Sequence, residues 1–234
     1  MQLGASIPTG PPADTVPGAI EAARVRLGHR PAVTVLSDRG REEQGVASLA
    51  QWAAKGAHLL ELDLLLDAGD PLRLDAPLSW TSAAVCLAAW WAGVVVTLDG
   101  DVEVAVVHET RTPPTSSTEL FRLGDAIDGA PRSEIAGEPW VRAVQAFPDQ
   151  PPVPRGSAGA PALAFGGRTW TQADLLRSAR DLGEGTIGVD AATIDPVTGI
   201  VAVALRPLVV ARPTVVLQGV EASVADGERV SVWR

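Results

Sequence analysis

The chain has 234 residues and 46% apolar content, enough for one large or two small domains with a sizeable core. Its net charge is -9, from 19 basic and 28 acidic residues, and no two Lys or Arg residues are adjacent, which argues against a DNA or RNA partner. Trp occurs 7 times, Phe 3 times and Tyr not at all, so Ala, Val, Leu and Gly are expected to build most of the core. Cys86 is the lone cysteine, which rules out an internal disulfide; its setting, Ala-Ala-Val-Cys-Leu-Ala, is that of a small buried hydrophobe. The N-terminus, MQLGASIPTGPP, has no basic region followed by an apolar one, so no signal peptide is predicted and the cytoplasm is the expected compartment.

Residues 1–17 are rich in Gly, Pro, Ser and Thr and read as a flexible arm. A helix is predicted from Ala19 to Leu27, with Gly28 as its C-cap, followed by a strand from Ala32 to Leu36 and a polar turn or hairpin to Gly45. Ser48 is the expected cap of a helix running to about Leu60, with Leu49, Trp52, Ala53, Leu59 and Leu60 as its apolar stripe. His58 lies beside that stripe with no Cys or second His near it, so no metal site is predicted there. Asp67 to Asp75 reads as a turn region.

The uncharged stretch Ala76–Leu98 contains 14 consecutive apolar residues, Ala83 to Val96, fewer than the 18 or so that suggest a membrane span. Ala and Leu before Gly93 favour helix and the valines after it favour strand, so a helix over Ser79–Ala92 and a buried strand over Val94–Leu98 are predicted. Another strand is expected at Val102–Val107, a helical or extended piece at Glu119–Leu123, and a short helix near Trp140. FPDQPPVPRGSAGAP, from Phe147, holds five prolines and two glycines and reads as a linker over 148–160 between a first α/β unit, 18–147, and a second, 161–234, the alternative being that the two pack together as one domain.

The second unit opens with a strand, Ala162–Phe165, a Gly166-Gly167 turn and a helix capped by Thr171. Val197–Leu205 is an apolar run of ambiguous form, Pro213–Gln218 a β-rich run, and Val220–Val232 a strand, turn and strand. PAVTVL, a capped helix, an apolar run and GVVVTLDG are echoed by PALAFG, a capped helix, an apolar run and PTVVLQG. The echo reflects either two similar α/β units or the reuse of one unit that α/β chains commonly show.

AVTVLSDRG, ASLAQWAAKGAHLL, AGDPLRL and SWTSAAVCLAAWWAGVVVTL follow one another in an order that resembles the start of an AMP-forming acyl-CoA synthetase or related adenylate-forming enzyme. The resemblance covers residues 18–110 best and is closest to a divergent actinobacterial group of uncharacterised relatives, whose Leu-Ala-x-Trp-x-x-Lys helix is matched by Leu49, Ala50, Trp52 and Lys55. It implies an α/β fold of sheets flanked by helices, like the N-terminal subdomains of those enzymes, with ATP, AMP and acyl-CoA as the family's ligands. The family's Ser/Thr/Gly-rich phosphate loop ending in Pro-Lys-Gly has no counterpart here. Arg155-Gly156-Ser157-Ala158-Gly159-Ala160-Pro161 is the nearest stretch and lacks the threonines and the lysine. On this resemblance the chain is also too short to hold the adenine-binding end and the small mobile domain, so a truncated, non-catalytic homologue is expected and no cofactor is predicted.

Gly156, Ser157 and Gly159 are kept as an anion-binding turn to be weighed against a plain linker, and His108 and Arg111, with Glu109, as a polar group at a predicted strand end, where α/β folds hold ligands. Trp90 and Trp91 cannot share one helix face, which makes one of them a candidate for a subunit contact and the protein a candidate homodimer. The remaining alternative is an enzyme half completed by a partner chain that supplies the missing synthetase elements.

Overall fold

The computed structural model describes residues 13–125, 128–132 and 134–234. Most of the predicted arm, 1–12, lies outside the described residues. Thr15 caps the first helix, α1 (Val16–Leu27), which starts earlier than Ala19 because Pro17 falls in the first turn, where its missing N–H costs nothing. β1 (Pro31–Ser37) and β2 (Gly40–Gly45) form an antiparallel hairpin. α2 (Val46–His58) begins at Gly45, so Ser48 is inside the helix and does not cap it. One π-helical turn, Leu59–Asp63, extends it.

The region expected to be a turn contains β3 (Pro71–Asp75), whose Leu72 and Leu74 are buried. α3 (Trp80–Trp91) follows a capping box in which Ser79 and Ser82 satisfy each other's backbone N–H groups. After β4 (Val95–Thr97) come β5 (Val104–His108), β6 (Glu119–Leu123), β7 (Glu138–Pro139) and α4 (Trp140–Gln145). The second part of the chain forms β8 (Pro161–Phe165), β9 (Arg168–Thr171), α5 (Gln172–Asp181), β10 (Ile187–Asp190), α6 (Pro196–Ala204), α7 (Arg206–Val210) and β11 (Thr214–Gln218). The closing segment is a 3-10 helix, Ala222–Glu228, and a short β12 (Val232–Trp233), where two strands were expected.

The strands make two sheets, ordered β12-β10-β11-β1-β2 and β7-β6-β5-β3-β4-β8-β9. All pairs are parallel except the two hairpins. The echo in the sequence becomes a topological repeat: β1-β2-α2-β3-α3-β4 is matched by β8-β9-α5-β10-α6-α7-β11, in which the two short helices α6 and α7 stand where the first repeat has α3. The repeats exchange hairpins. β8 pairs with β4 of the first repeat, and β1 pairs with β11 of the second. Each sheet therefore takes strands from both sides of the Pro-rich segment, and the division at 148–160 does not separate two independent sheets. β4 and β11 are buried and rich in valine, and each has its second edge covered by the other repeat's hairpin.

The Pro-rich segment is itself packed down. Lys55 Nζ donates to the Phe147 carbonyl (2.7 Å) and pairs with Asp149 (3.0 Å), and His58 Nε2 lies 2.9 Å from the Gln150 carbonyl. Arg155 donates to the Leu66 carbonyl at 3.0 Å and lies 3.5 Å from the carboxylate of Glu61, whose side chain is 7% exposed. Burial holds the Glu61 carboxyl above its usual range, partly offset by Arg155 and His58.

Ala76–Leu98 is α3 and β4, joined through Gly93 at φ +77. No helix of the described residues is long and apolar enough to cross a membrane. Trp90 and Trp91 are 0% and 3% exposed; their indole N–H groups donate to the carbonyls of Ala162 (2.7 Å) and Pro152 (2.9 Å). Both rings are covered within the chain itself, Trp90 against β8 and Trp91 against the Pro-rich segment, so neither presents the exposed face expected of a subunit contact. Cys86 is fully buried, and burial pushes its thiol far above its usual range, as a structural cysteine requires.

Candidate functional site

In a parallel sheet the loops after the strands' carboxyl ends gather on one side, and there the backbone is free to hold side chains over a crevice. Here both sheets direct those ends at one cleft of about 560 Å³. Ser37, Asp38 and Arg39 follow β1, Asp75 ends β3, His108 ends β5, Ala191 follows β10 and Gln218 ends β11. Leu74, Leu78, Leu98, Phe165, Ile194 and Ile200 supply its apolar wall. The repeat accounts for this convergence. Strand pairing matches Leu72 with Ile187, so Asp75 and Asp190 occupy the same place at the ends of β3 and β10.

Asp125 ties the two sheets together across the cleft. Its carboxylate meets Arg39 at 2.8 Å, from the β1–β2 turn, and His108 Nε2 at 3.2 Å, from β5. The Thr110 N–H donates to His108 Nδ1 (3.3 Å), which makes Nδ1 the acceptor and leaves Nε2 to carry the proton toward Asp125. Glu109 fixes the same corner by accepting the backbone N–H groups of Asp125 (2.8 Å) and Arg132 (2.9 Å). Beneath them Arg122, 5% exposed, donates to the carbonyls of Ala136 (2.7 Å) and Arg111 (3.2 Å), and burial lowers its pKa from the usual value. Arg122 is thus the positioning residue for the loop that carries His108 and Arg111.

Of the residues singled out in sequence, His108 and Arg111 line the cleft, and Arg111 lies 3.8 Å from Asp75. Gly156, Ser157 and Gly159 do not join them. They precede β8, beside Gly93 and the start of α5, at the end of the sheet opposite the cleft. Arg39 and Asp125 were missed because each sits in a polar turn with no motif around it, and Asp75 because the strand it ends reads as a turn region in sequence. The one signal was the echo of Leu-Asp-Ala at 74–76 in Val-Asp-Ala at 189–191.

His108, Glu109 and Asp125 each bring one donor atom to within 4.8 Å of the others. Each of these donor atoms already has a partner in Thr110, Arg132, Arg39 or another member of the group, an arrangement that suits a clamp between loops. A nucleotide triphosphate does not fit the residues present either. The cleft's cations, Arg39 and Arg111, already face Asp125 and Asp75. The β8–β9 connection, where β8 meets the cleft, is only Gly166-Gly167, with φ +57 and +74, a tight turn that pairs Phe165 directly with Arg168. It leaves no loop to cradle phosphates.

No known family's sequence profile matches this chain, and no curated protein matches it in sequence. Solved structures do match its fold. An acyl-CoA synthetase from Brucella canis aligns over 92% of this chain and 46% of its own, at 17% identity and a TM-score of 0.70. A fatty acyl CoA synthetase from Mycobacterium tuberculosis aligns over 94% and 49%, at 12% identity and 0.67. A mutant form of coronafacic acid ligase from Pectobacterium brasiliense aligns over 93% and 49%, at 11% identity and 0.72. The chain spans about half the length of the synthetases it matches, and over that half it has their α/β architecture of mixed sheets flanked by helices.

Proposed function

We propose that this chain is a non-catalytic, small-molecule-binding relative of adenylate-forming enzymes, and that the cleft between its two sheets is the binding site. The observation that carries the reading is a cleft at the strand ends of both sheets beside a β8–β9 turn too short to hold phosphates. Its polar rim of mutually paired Asp125, Arg39, Asp75 and Arg111 favours a small neutral or zwitterionic head group over a polyanion, and its apolar wall favours a short hydrocarbon body. Titrating the intact chain with ATP, AMP and an acyl-CoA, followed by tryptophan emission, tests the reading against its enzymatic rival. The expected result is no pyrophosphate release from ATP with any carboxylic acid offered; robust release overturns the proposal.

The fold shared with acyl-CoA synthetases, beside a β8–β9 turn of only Gly166-Gly167, supports a second reading, a component of an acyl-adenylating enzyme that works only with a partner chain. That partner would carry the lysine-bearing phosphate loop and the small domain. Pyrophosphate release by the mixture, and by neither chain alone, supports this reading; an inert mixture removes it.

A further inference from the structure

The exchanged hairpins give a residue-by-residue match between the repeats. Val35 pairs with Glu42 as Phe165 pairs with Arg168, and Val33 pairs with Gln44 as Leu163 pairs with Trp170, with the same irregularity after Pro31 and Pro161. The next residues, Gly45 and Thr171, are the N-caps of α2 and α5, and Ser79 and Asp195 are those of α3 and α6. Counting from these caps, Trp52 matches Ser178, Trp80 matches Pro196 and Thr81 matches Val197.

The second repeat has a crevice between its hairpin and its two helices, the first has one between its hairpin and the start of α3, and matched residues line both. Val35, Glu42, Ser79 and Thr81 line the first; Phe165, Arg168, Asp195 and Val197 line the second. The first is closed to about 30 Å³ and the second is open to about 470 Å³. The difference follows from the matched side chains. Trp52 and Trp80 pack at 5.5 Å in the first repeat, with Trp80 4% exposed. A serine and a proline stand in their places in the second.

The charge at the mouth is also reversed, from Glu42 to Arg168. The Arg168 guanidinium lies 4.9 Å over the ring of Trp170, with no carboxylate bonded to it among the described residues. Leu182, Val197 and Val201 add an apolar floor. Asp195, the acidic residue of the lining, is held by the Thr198 N–H (2.9 Å) and hydroxyl (3.0 Å).

We propose that this second crevice binds a planar, two-ring aromatic anion. The rings take the space that two indoles occupy in the other repeat, and the anion meets Arg168. The site is distinct from the main cleft, with which it shares Phe165. Stacking on Trp170 and the cation beside it supply the recognition.

Calorimetric titration of the intact chain with indole-3-acetate, and with tryptamine as its cationic counterpart, tests the assignment. Indole-3-acetate is expected to bind at least about tenfold more tightly than tryptamine, the equivalent of about 1.4 kcal/mol. Ser178→Trp should abolish that binding without lowering the unfolding midpoint, because it restores the filling of the first repeat. Should that variant fail to fold, Arg168→Glu, on the exposed hairpin, decides the matter by removing the preference for the anion. Absence of indole-3-acetate binding at millimolar concentration, or binding unchanged in both variants, overturns the proposal.

Discussion

The two repeats share an order of elements and a strand register yet solve the same packing problems with different chemistry. Where the first repeat fills the space beside its hairpin with Trp52 and Trp80, the second has Ser178 and Pro196 and stays open. Where the first buries Trp90 near the end of α3, the second, at the same distance from its N-cap, buries Arg206. Both are fully buried donors. Trp90 gives one N–H to the Ala162 carbonyl, and Arg206 gives its N–H groups to the carbonyls of Gly183, Gly185, Arg212 and Pro213. Burial pulls the Arg206 pKa down to about 10, so it remains charged at neutral pH. The comparison teaches that topology demands a filled position there but neither a particular side chain nor complete pairing, since the buried Arg206 Nε has no partner among the described residues.

The comparison can be broken most sharply at Trp90. Trp90→Ala removes a fully buried indole and is expected to cost about 3–5 kcal/mol, read by denaturant unfolding. A loss below about 1 kcal/mol would mean that the core around Ala162 repacks and that the position is not required. Arg206→Met should cost less, about 2–3 kcal/mol, because the carbonyls left without donors are penalised while the burial of a charge is relieved. An Arg206→Met variant more stable than the parent would show that the guanidinium is a cost of the second repeat and not its equivalent of Trp90.

The caps differ in the same way. Thr171 makes a capping box with Asp174, whereas the matched Gly45 has no side chain and cannot gain one, since a Cβ there would lie 2.9 Å from the His29 carbonyl. Thr171→Ala is expected to lower stability by about 1 kcal/mol. It should do so with faster hydrogen exchange confined to the start of α5.

The smallest effect is expected at Glu61, which lies against the segment joining the repeats. Its carboxyl is raised from 4.5, so the fold binds its proton more tightly than the unfolded chain does. That contribution is complete below the ordinary carboxylate range and is lost as pH rises through the raised value. Glu61→Gln should therefore flatten the pH dependence of the unfolding midpoint above pH 4.5 and leave the neutral-pH stability no lower. A steeper dependence in the variant would place the origin elsewhere in the segment.

Much of this architecture was readable from local pattern. The change from alanine and leucine to valine across Gly93 gave the helix and strand of Ala76–Leu98, and the Thr171 cap gave the start of α5. β3 and β10 were not readable from local pattern, and for β3 only the family resemblance of AGDPLRL implies a strand. Each is a short strand ending in Asp, Pro-Leu-Arg-Leu-Asp and Ile-Gly-Val-Asp, whose extended form depends on neighbours far away in sequence. Val220–Val232 failed in the opposite direction, since its valines suit a strand but most of the segment forms a 3-10 turn with only Ala225 buried. At the cleft, His108 and Arg111 were visible as a polar group after an apolar strand. Asp125 and Arg39 were not, because what unites them with His108 is a contact between two sheets.

By itself, the sequence determined the periodicities, the caps, the glycine joints and the echo between two halves, because these depend on residues within a few positions of one another. Only the tertiary structure decided that the halves exchange hairpins, that the Trp90 and Trp91 rings face inward, and that one crevice is filled while its counterpart is open. Those outcomes rest on which distant strands pair and which volumes meet, and no local preference encodes either.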